Sequence, residues 1–254
     1  MIKFFRKIRQ RLLTENKFSK YLFYAIGEIV LVMIGILLAL QVNNWNENRK
    51  TNNQELELLV SLQKEFTFNR DELGRSIKKA QVIQNRCESL LKNTGNHEMK
   101  LSRYESDSLI NLGLLSIITF DASNGILNDI INSGKIHVLK NESLKTILSN
   151  WGGMLNDVKE DETWAVNERN TITYPFLYKN SNYLNISRSA VKDNEITSGF
   201  TTDFKDIYKL QEFENLVNSH RIWNAKNERG YKNLQIKVEE IILLCEQDIK
   251  LKNK

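Results

Sequence analysis

Residues 21–42 constrain this chain more than any other feature: they read YLFYAIGEIVLVMIGILLALQV, an apolar run carrying the single charge Glu28. At about 1.5 Å of rise per residue the run measures roughly 33 Å as a helix, enough to cross the hydrocarbon core of a bilayer. Tyr21, Phe23 and Tyr24 at one end and Trp45 beyond the other are amphipathic aromatics of the kind that settle at the two membrane interfaces. A cleaved signal peptide is the competing reading. The run is longer than a typical signal core, and the A-L-Q-V-N-N that follows lacks small residues at the cleavage-defining positions, so a retained signal anchor is expected.

Charge sets the expected orientation. Lys3, Arg6, Lys7, Arg9, Arg11, Lys17 and Lys20 precede the run against Glu15 alone, whereas only Glu47, Arg49 and Lys50 follow it closely. Basic flanks stay in the cytoplasm, so residues 1–20 form a basic cytoplasmic segment, 21–42 the transmembrane helix and 43–254 an exported domain. This local excess also exceeds the +5 of the whole chain, leaving the remainder close to neutral and disfavouring a nucleic-acid face. Within residues 2–13, Ile2, Phe5, Ile8 and Leu12 share one helical face and Lys3, Arg6, Lys7 and Gln10 the other. This segment is either an amphipathic helix lying on anionic lipid or a basic flank that only sets orientation.

A carboxylate in hydrocarbon costs on the order of 3 kcal/mol, so Glu28 asks for a partner or for water. Tyr21, Ala25, Glu28, Val32, Gly35 and Ala39 fall in one stripe at helical spacing, and Gly35 to Ala39 is a small-xxx-small pattern that lets helices approach closely. Glu28, Gly35 and Ala39 are therefore the candidate contact face, toward a second copy of the chain or another membrane protein. The alternative is that Glu28 stays protonated or borrows water from the cytoplasmic interface.

Downstream, one proline and eleven glycines argue against turn-rich sandwiches and barrels and for long helices: the expected class is all-α, the transmembrane helix continuing into an extended antiparallel bundle. Leu59, Leu62, Phe66, Leu73, Ala80, Ile83, Cys87 and Leu90 repeat at heptad-like, coiled-coil spacing, with Asn69 and Ser76 as interruptions, and predict one helix over 43–92 ended by Asn93-Thr94-Gly95-Asn96. Ser102 and Glu105 have capping-box spacing before the apolar run from Leu109 to Ile118. A short helix is expected from about Ser123 to Gly134. Asn141 caps a long helix containing Leu144, Ile147, Leu148, Trp151, Leu155, Val158 and Trp164, weakened at Gly152-Gly153 and kinked or ended at Pro175. Residues 180–202 read as the longest irregular stretch. The last helix, about 210–251, carries Phe213, Leu216, Val217, Trp223, Tyr231, Leu234, Val238, Ile241, Cys245 and Ile249. Four long passes in up-down order bring it back antiparallel to the first, with Cys245 near the membrane and Cys87 far from it, so the two thiols are not expected to pair.

Motifs that carry chemistry are missing from the sequence. His97, His137 and His220 lie in unrelated segments, the cysteines have no C-x-x-C spacing, and there is no G-x-S-x-G, phosphate loop or G-x-G-x-x-G. No metal or cofactor is expected. Asp157, Glu160, Asp161 and Glu162, with Glu168 and Arg169, read as a solvated helix face rather than a cation or acid-base site. His220, Arg221, Trp223 and Asn224, with Tyr174 and Tyr178, are the candidate lining of a small-ligand pocket.

The stretch from Ile2 through Trp45, with F-R-K-I-R, Y-A-I-G-E-I, I-G-I-L-L-A-L and N-N-W-N-E, resembles an uncharacterised family of Bacteroidota membrane proteins, a domain of unknown function. Weaker matches continue through Phe120-Asp121-Ala122-Ser123-Asn124-Gly125, Ser133-Gly134-Lys135-Ile136, Lys140-Asn141-Glu142-Ser143-Leu144, Phe213-Glu214-Asn215-Leu216 and Arg221-Ile222-Trp223-Asn224. The resemblance implies an inner-membrane protein with a periplasmic helical domain and implies no activity. Three functions follow as expectations. The first is a non-enzymatic tethered interaction or scaffold protein, its partners the lipid bilayer and a membrane or periplasmic protein or a second copy of itself. The second is a ligand-sensing module acting through a signalling partner, and the third an enzyme whose site has no linear motif.

Overall fold

The computed structural model describes residues 18–191, 196 and 198–252, and among these every regular element is helical. The amphipathic or basic-flank reading of residues 2–13 lies outside the described residues. The chain divides into two compact units, Met1–Leu56 and Glu57–Lys254. Helix α1, Phe18–Leu91, passes from the first into the second.

In the first unit, α1 is long and apolar enough to cross a membrane, and none of its apolar window is buried within the chain. Its large side chains point outward all round, as at Ile29, Leu31, Ile34 and Leu38. A helix apolar on every face and uncovered by its own chain is suited to lipid rather than water. Glu28 is half-buried, Gly35 and Ala39 are exposed, and a Cβ added at Gly35 would meet nothing within 4 Å.

The second unit has its own core, and the following elements build it: α2 (Arg103–Leu109) with a π turn at Ile110–Leu114, α3 (Gly125–Asn132) with a 3-10 turn at Lys135–Val138, α4 (Glu142–Glu168) with a π turn at Arg169–Thr173, α5 (Tyr174–Asn180), α6 (Tyr183–Val191), a 3-10 turn at Asp206–Lys209, and α7 (Gln211–Lys252). In the Glu57–Leu91 part of α1, buried Leu59, Leu62, Phe66, Leu73, Ile77, Ala80, Ile83, Cys87 and Leu90 fall at the expected helical spacing. Along α7, buried His220, Asn224, Asn227, Tyr231, Leu234, Val238, Ile241 and Cys245 alternate steps of four and three, which keeps one stripe facing the neighbouring helices.

Bonds along the helices fix their directions. Gln63 Nε2 donates to Glu246 (3.1 Å) and Gln84 Nε2 to Glu228 (2.7 Å), so α7 runs antiparallel to α1. Asn141 Nδ2 donates to Asp248 (3.1 Å) and Lys226 Nζ to Asp161 (2.7 Å), so α7 is antiparallel to α4 as well. Phe66 packs edge-on against Trp151, which ties α1 to α4. The up-down order holds and the short helix expected near 123–134 is present, but the capped helix before it ends at Leu114, short of the apolar run's end at Ile118. Residues 103–141 return along α1 as two short helices joined by a drawn-out stretch, and between Ser116 and Asn124 no backbone-to-backbone hydrogen bond forms.

Local chemistry explains most boundaries. Ser102 accepts from the Glu105 N–H while the Glu105 carboxylate accepts from the Ser102 N–H (2.8 Å), the capping box expected. Asn141 accepts from the Leu144 N–H at the start of α4. Gly134 (φ 72°) stops α3 in a left-handed conformation that side chains rarely adopt, and Gly95 (φ 68°) takes the same conformation in the turn beyond α1, its N–H donating to the Tyr208 carbonyl. Pro175 lacks an N–H and its ring clashes with a carbonyl one turn back, and the widened π turn just before it accommodates both, so the helical path continues to Asn180 rather than ending.

Three expectations need correction. The irregular stretch placed at 180–202 contains α6, whose Ile186 is buried, because its apolar residues recur at helical spacing among the polar ones. Trp164, grouped with the apolar residues of the helix capped by Asn141, does not share their burial: it is 63% exposed and lies stacked against Trp223. Glu162, assigned to a solvated face, is only 5% exposed.

Candidate functional site

The most unusual chemistry of the second unit surrounds residues 115–127, where polar side chains from all three long helices reach into the core to hold backbone that no helix or sheet satisfies. A buried amide without a partner costs about 1–3 kcal/mol, so such a stretch persists only if side chains replace the missing ladder.

Helix α1 supplies two of these groups. The Glu65 carboxylate accepts from the N–H groups of Ile126 and Leu127, both at 2.9 Å, capping α3 from another element where its own Asn124 side chain makes no cap. A carboxylate is also favoured there by the positive end of the helix dipole. Asn69 donates to the Ser123 carbonyl and accepts from the Ser123 N–H, both at 2.8 Å, as a neighbouring strand would. Asn124 is free to accept from Trp151 Nε1 (2.8 Å), which fixes the indole in the core.

From α4 and α7 come the rest. Glu162 Oε1 accepts from the Phe120 N–H (2.8 Å) and from the Tyr231 hydroxyl (2.7 Å), which also lies 3.2 Å from the Ile118 carbonyl. Burial pushes the Glu162 carboxyl above its ordinary value, with these two bonds pulling the other way. Burial likewise raises the Tyr231 phenol, with the Glu162 charge adding to it, so it is a fixed donor at neutral pH. His220 Nε2 lies 3.0 Å from the Ser116 carbonyl and must carry the proton to donate there. Desolvation lowers its pKa to about 4, so the ring is neutral. At the π turn after α4, Arg169 Nη1 donates to the Leu115 carbonyl (3.3 Å) and its guanidinium covers the Tyr174 ring.

Of the four sequence candidates, the structure turns His220 and Asn224 into the core together, Asn224 Nδ2 donating to the His220 carbonyl (2.9 Å). Trp223 goes elsewhere, stacked on Trp164 with the Lys226 ammonium over its ring. Arg221 bonds Asn218 through Nη2 (3.0 Å), and its Nε is buried with no hydrogen-bond partner among the described residues. Tyr174 and Tyr178 stack on each other, with Tyr183 edge-on to both. Sequence reasoning missed Glu65, Glu162 and Tyr231 as polar core groups. The one available signal was the pair Glu65 and Asn69, polar residues on the same helical face as Leu62, Phe66 and Leu73.

Two clefts open beside this framework. One is lined by Lys78, Lys79, Val82 and Arg86 of α1 and by Ser116, Ile117 and Ile118 of the drawn-out stretch. The other lies between α4 and α7, where Lys226 pairs with Asp161 near Gly230. Among the described residues no group of three or more His, Cys, Asp or Glu is gathered as a metal site. Comparison with protein-family models, with curated proteins and with solved structures finds no match to the chain.

Proposed function

We propose that this chain is a single-pass inner-membrane protein that works as a tethered interaction or scaffold module, with its N-terminus in the cytoplasm and residues 43–254 in the periplasm. The observation that carries the reading is the apolar part of α1, uncovered on every face and preceded by a strongly basic flank, followed by a helical unit with a core of its own. The buried ionisable groups of that unit support a non-catalytic role, since Glu65, Glu162, Tyr231 and His220 are each engaged in holding backbone rather than aimed into an open cleft. Alkaline phosphatase fused behind Lys254 is then active and a fluorescent reporter fused there is dark; the reverse result, or a mature protein beginning after Gln41, refutes the topology. Partner binding is tested by crosslinking the full-length protein in native membranes.

Assembly in the bilayer runs through the stripe of Glu28, Gly35 and Ala39. Gly35 leaves its side of the helix open for a close approach, which a side chain there would block. Glu28→Leu and Gly35→Ile together abolish membrane-phase crosslinking, whether to a second copy or to another protein, and undiminished crosslinking in that variant rejects the stripe as a contact face.

A further inference from the structure

Residues 116–121 combine two properties rarely left together on a folded surface: backbone in a drawn-out conformation, and one side of it without partners among the described residues. Leu112 is bonded by Arg86 and Ser123 by Asn69, positions separated by about 25 Å along α1, so the intervening chain advances roughly 2.3 Å per residue, well beyond a helix and toward a strand. Three of its inward groups are held by side chains: the Ser116 carbonyl by His220, the Ile118 carbonyl by Tyr231, and the Phe120 N–H by Glu162. In extended chain the groups of alternate residues point to the opposite side. Those residues are Ile117, Thr119 and Asp121, and among the described residues none of their N–H or carbonyl groups has a hydrogen-bond partner. Thr119 and Asp121 are exposed and Ile117 is half-buried.

Beside this edge, α1 contributes the wall of the cleft. Lys78 and Lys79 make no ion pair with any described residue, Arg86 bonds only the Leu112 carbonyl, and no acid lines the cleft. Val82, 44% exposed, gives it an apolar floor with Ile83 and Ile118. An open strand edge flanked by unpaired cations and apolar side chains fits one kind of occupant, an extended peptide. Deepening the interaction reading above, we infer that the 116–121 edge binds an extended acidic segment of a partner protein by strand addition, its backbone pairing with Ile117 and Thr119 and its carboxylates facing Lys78, Lys79 and Arg86. Asp121 at the far end sets direction, because it repels an acid placed there while the lysines attract one at the other end.

The test uses the full-length protein in lipid nanodiscs and a fluorescein-labelled peptide of about eight alternating valines and glutamates, long enough to cover such an edge. Fluorescence anisotropy should show saturable binding that weakens at least tenfold for the Lys78→Glu/Lys79→Glu variant and falls steeply with salt. Methylating alternate peptide nitrogens on the pairing side, which removes donors while leaving the protein intact, should weaken binding by a similar factor. Absence of saturable binding overturns the inference, as does equal binding of the methylated peptide. If membrane crosslinking recovers a partner while this peptide fails, the edge is wrong and the tethered-interaction reading stands. If crosslinking recovers none, that reading falls and the peptide result judges the edge by itself.

Discussion

Removing the Glu162 carboxylate leaves two buried donors, the Phe120 N–H and the Tyr231 hydroxyl, with no acceptor at full strength. Glu162→Leu should therefore cost about 3 kcal/mol in urea unfolding followed by circular dichroism, and Tyr231→Phe about 1 kcal/mol. Because both remove the same bond, the double variant should lose measurably less than the two together, and strict additivity would separate the groups. His220 gives a pH signature of defined sign. Its folded pKa is depressed to about 4 from the ordinary 6.5, so its contribution is complete above 6.5 and is lost as pH falls toward 4, where the unfolded chain takes up a proton that the folded ring refuses. The parent should lose about 3 kcal/mol more than His220→Gln over that window. The variant comparison is required because Asp107, pushed up to about 6 by burial, acts with the opposite sign: its contribution is complete below its ordinary 3.8 and is lost as pH rises through 6.

Elements differ in how much their neighbours decide. The π turn at Ile110–Leu114 brings Gly113 against α1 so closely that an added Cβ would lie 2.9 Å from the Arg86 Cβ, the rigid root of that side chain. Gly113→Ala should destabilise the protein by on the order of 2 kcal/mol. Gly152 and Gly153, inside α4, would meet nothing within 4 Å, so alanine at either should stabilise by about 0.5–1 kcal/mol through the lower entropy of the unfolded chain. Thermal melts of the three variants should rank in that order, and a stable Gly113→Ala would mean that the π turn yields. The capping box at Ser102, the Asn141 cap and the glycine stop at Gly134 were all legible in the sequence, because each is a contest settled within a few residues. The drawn-out pass after the Leu109 to Ile118 run was not. Its apolar residues fit a helix equally well, and its backbone partners come from Glu65, Asn69, Glu162, Tyr231 and His220, far away along the chain.

Across the whole molecule the antiparallel return of α7 places Cys245 near the level of Gln63 and Cys87 near that of Arg221, roughly 35 Å apart along the bundle. Both thiols are free and buried, and desolvation pushes each up to about 12. Neither should react with maleimide in the folded protein at neutral pH, both should react in urea, and mass spectrometry of the intact chain should find no intramolecular disulfide. Rapid labelling of either in the native state would contradict the packing of its helix.

The sequence by itself determined that the chain is helical, that one helix is apolar enough to cross a bilayer, and where the first and last helices lie, because periodicity, caps and hydropathy are local or single-helix properties. Only the tertiary structure decided that the second pass would abandon the helix, that Glu162 would turn inward and that Trp164 would face out. The first two outcomes depend on whether a buried backbone group finds a partner on another element, the third on Trp223 lying beside Trp164, and those neighbours exist only once the helices have packed.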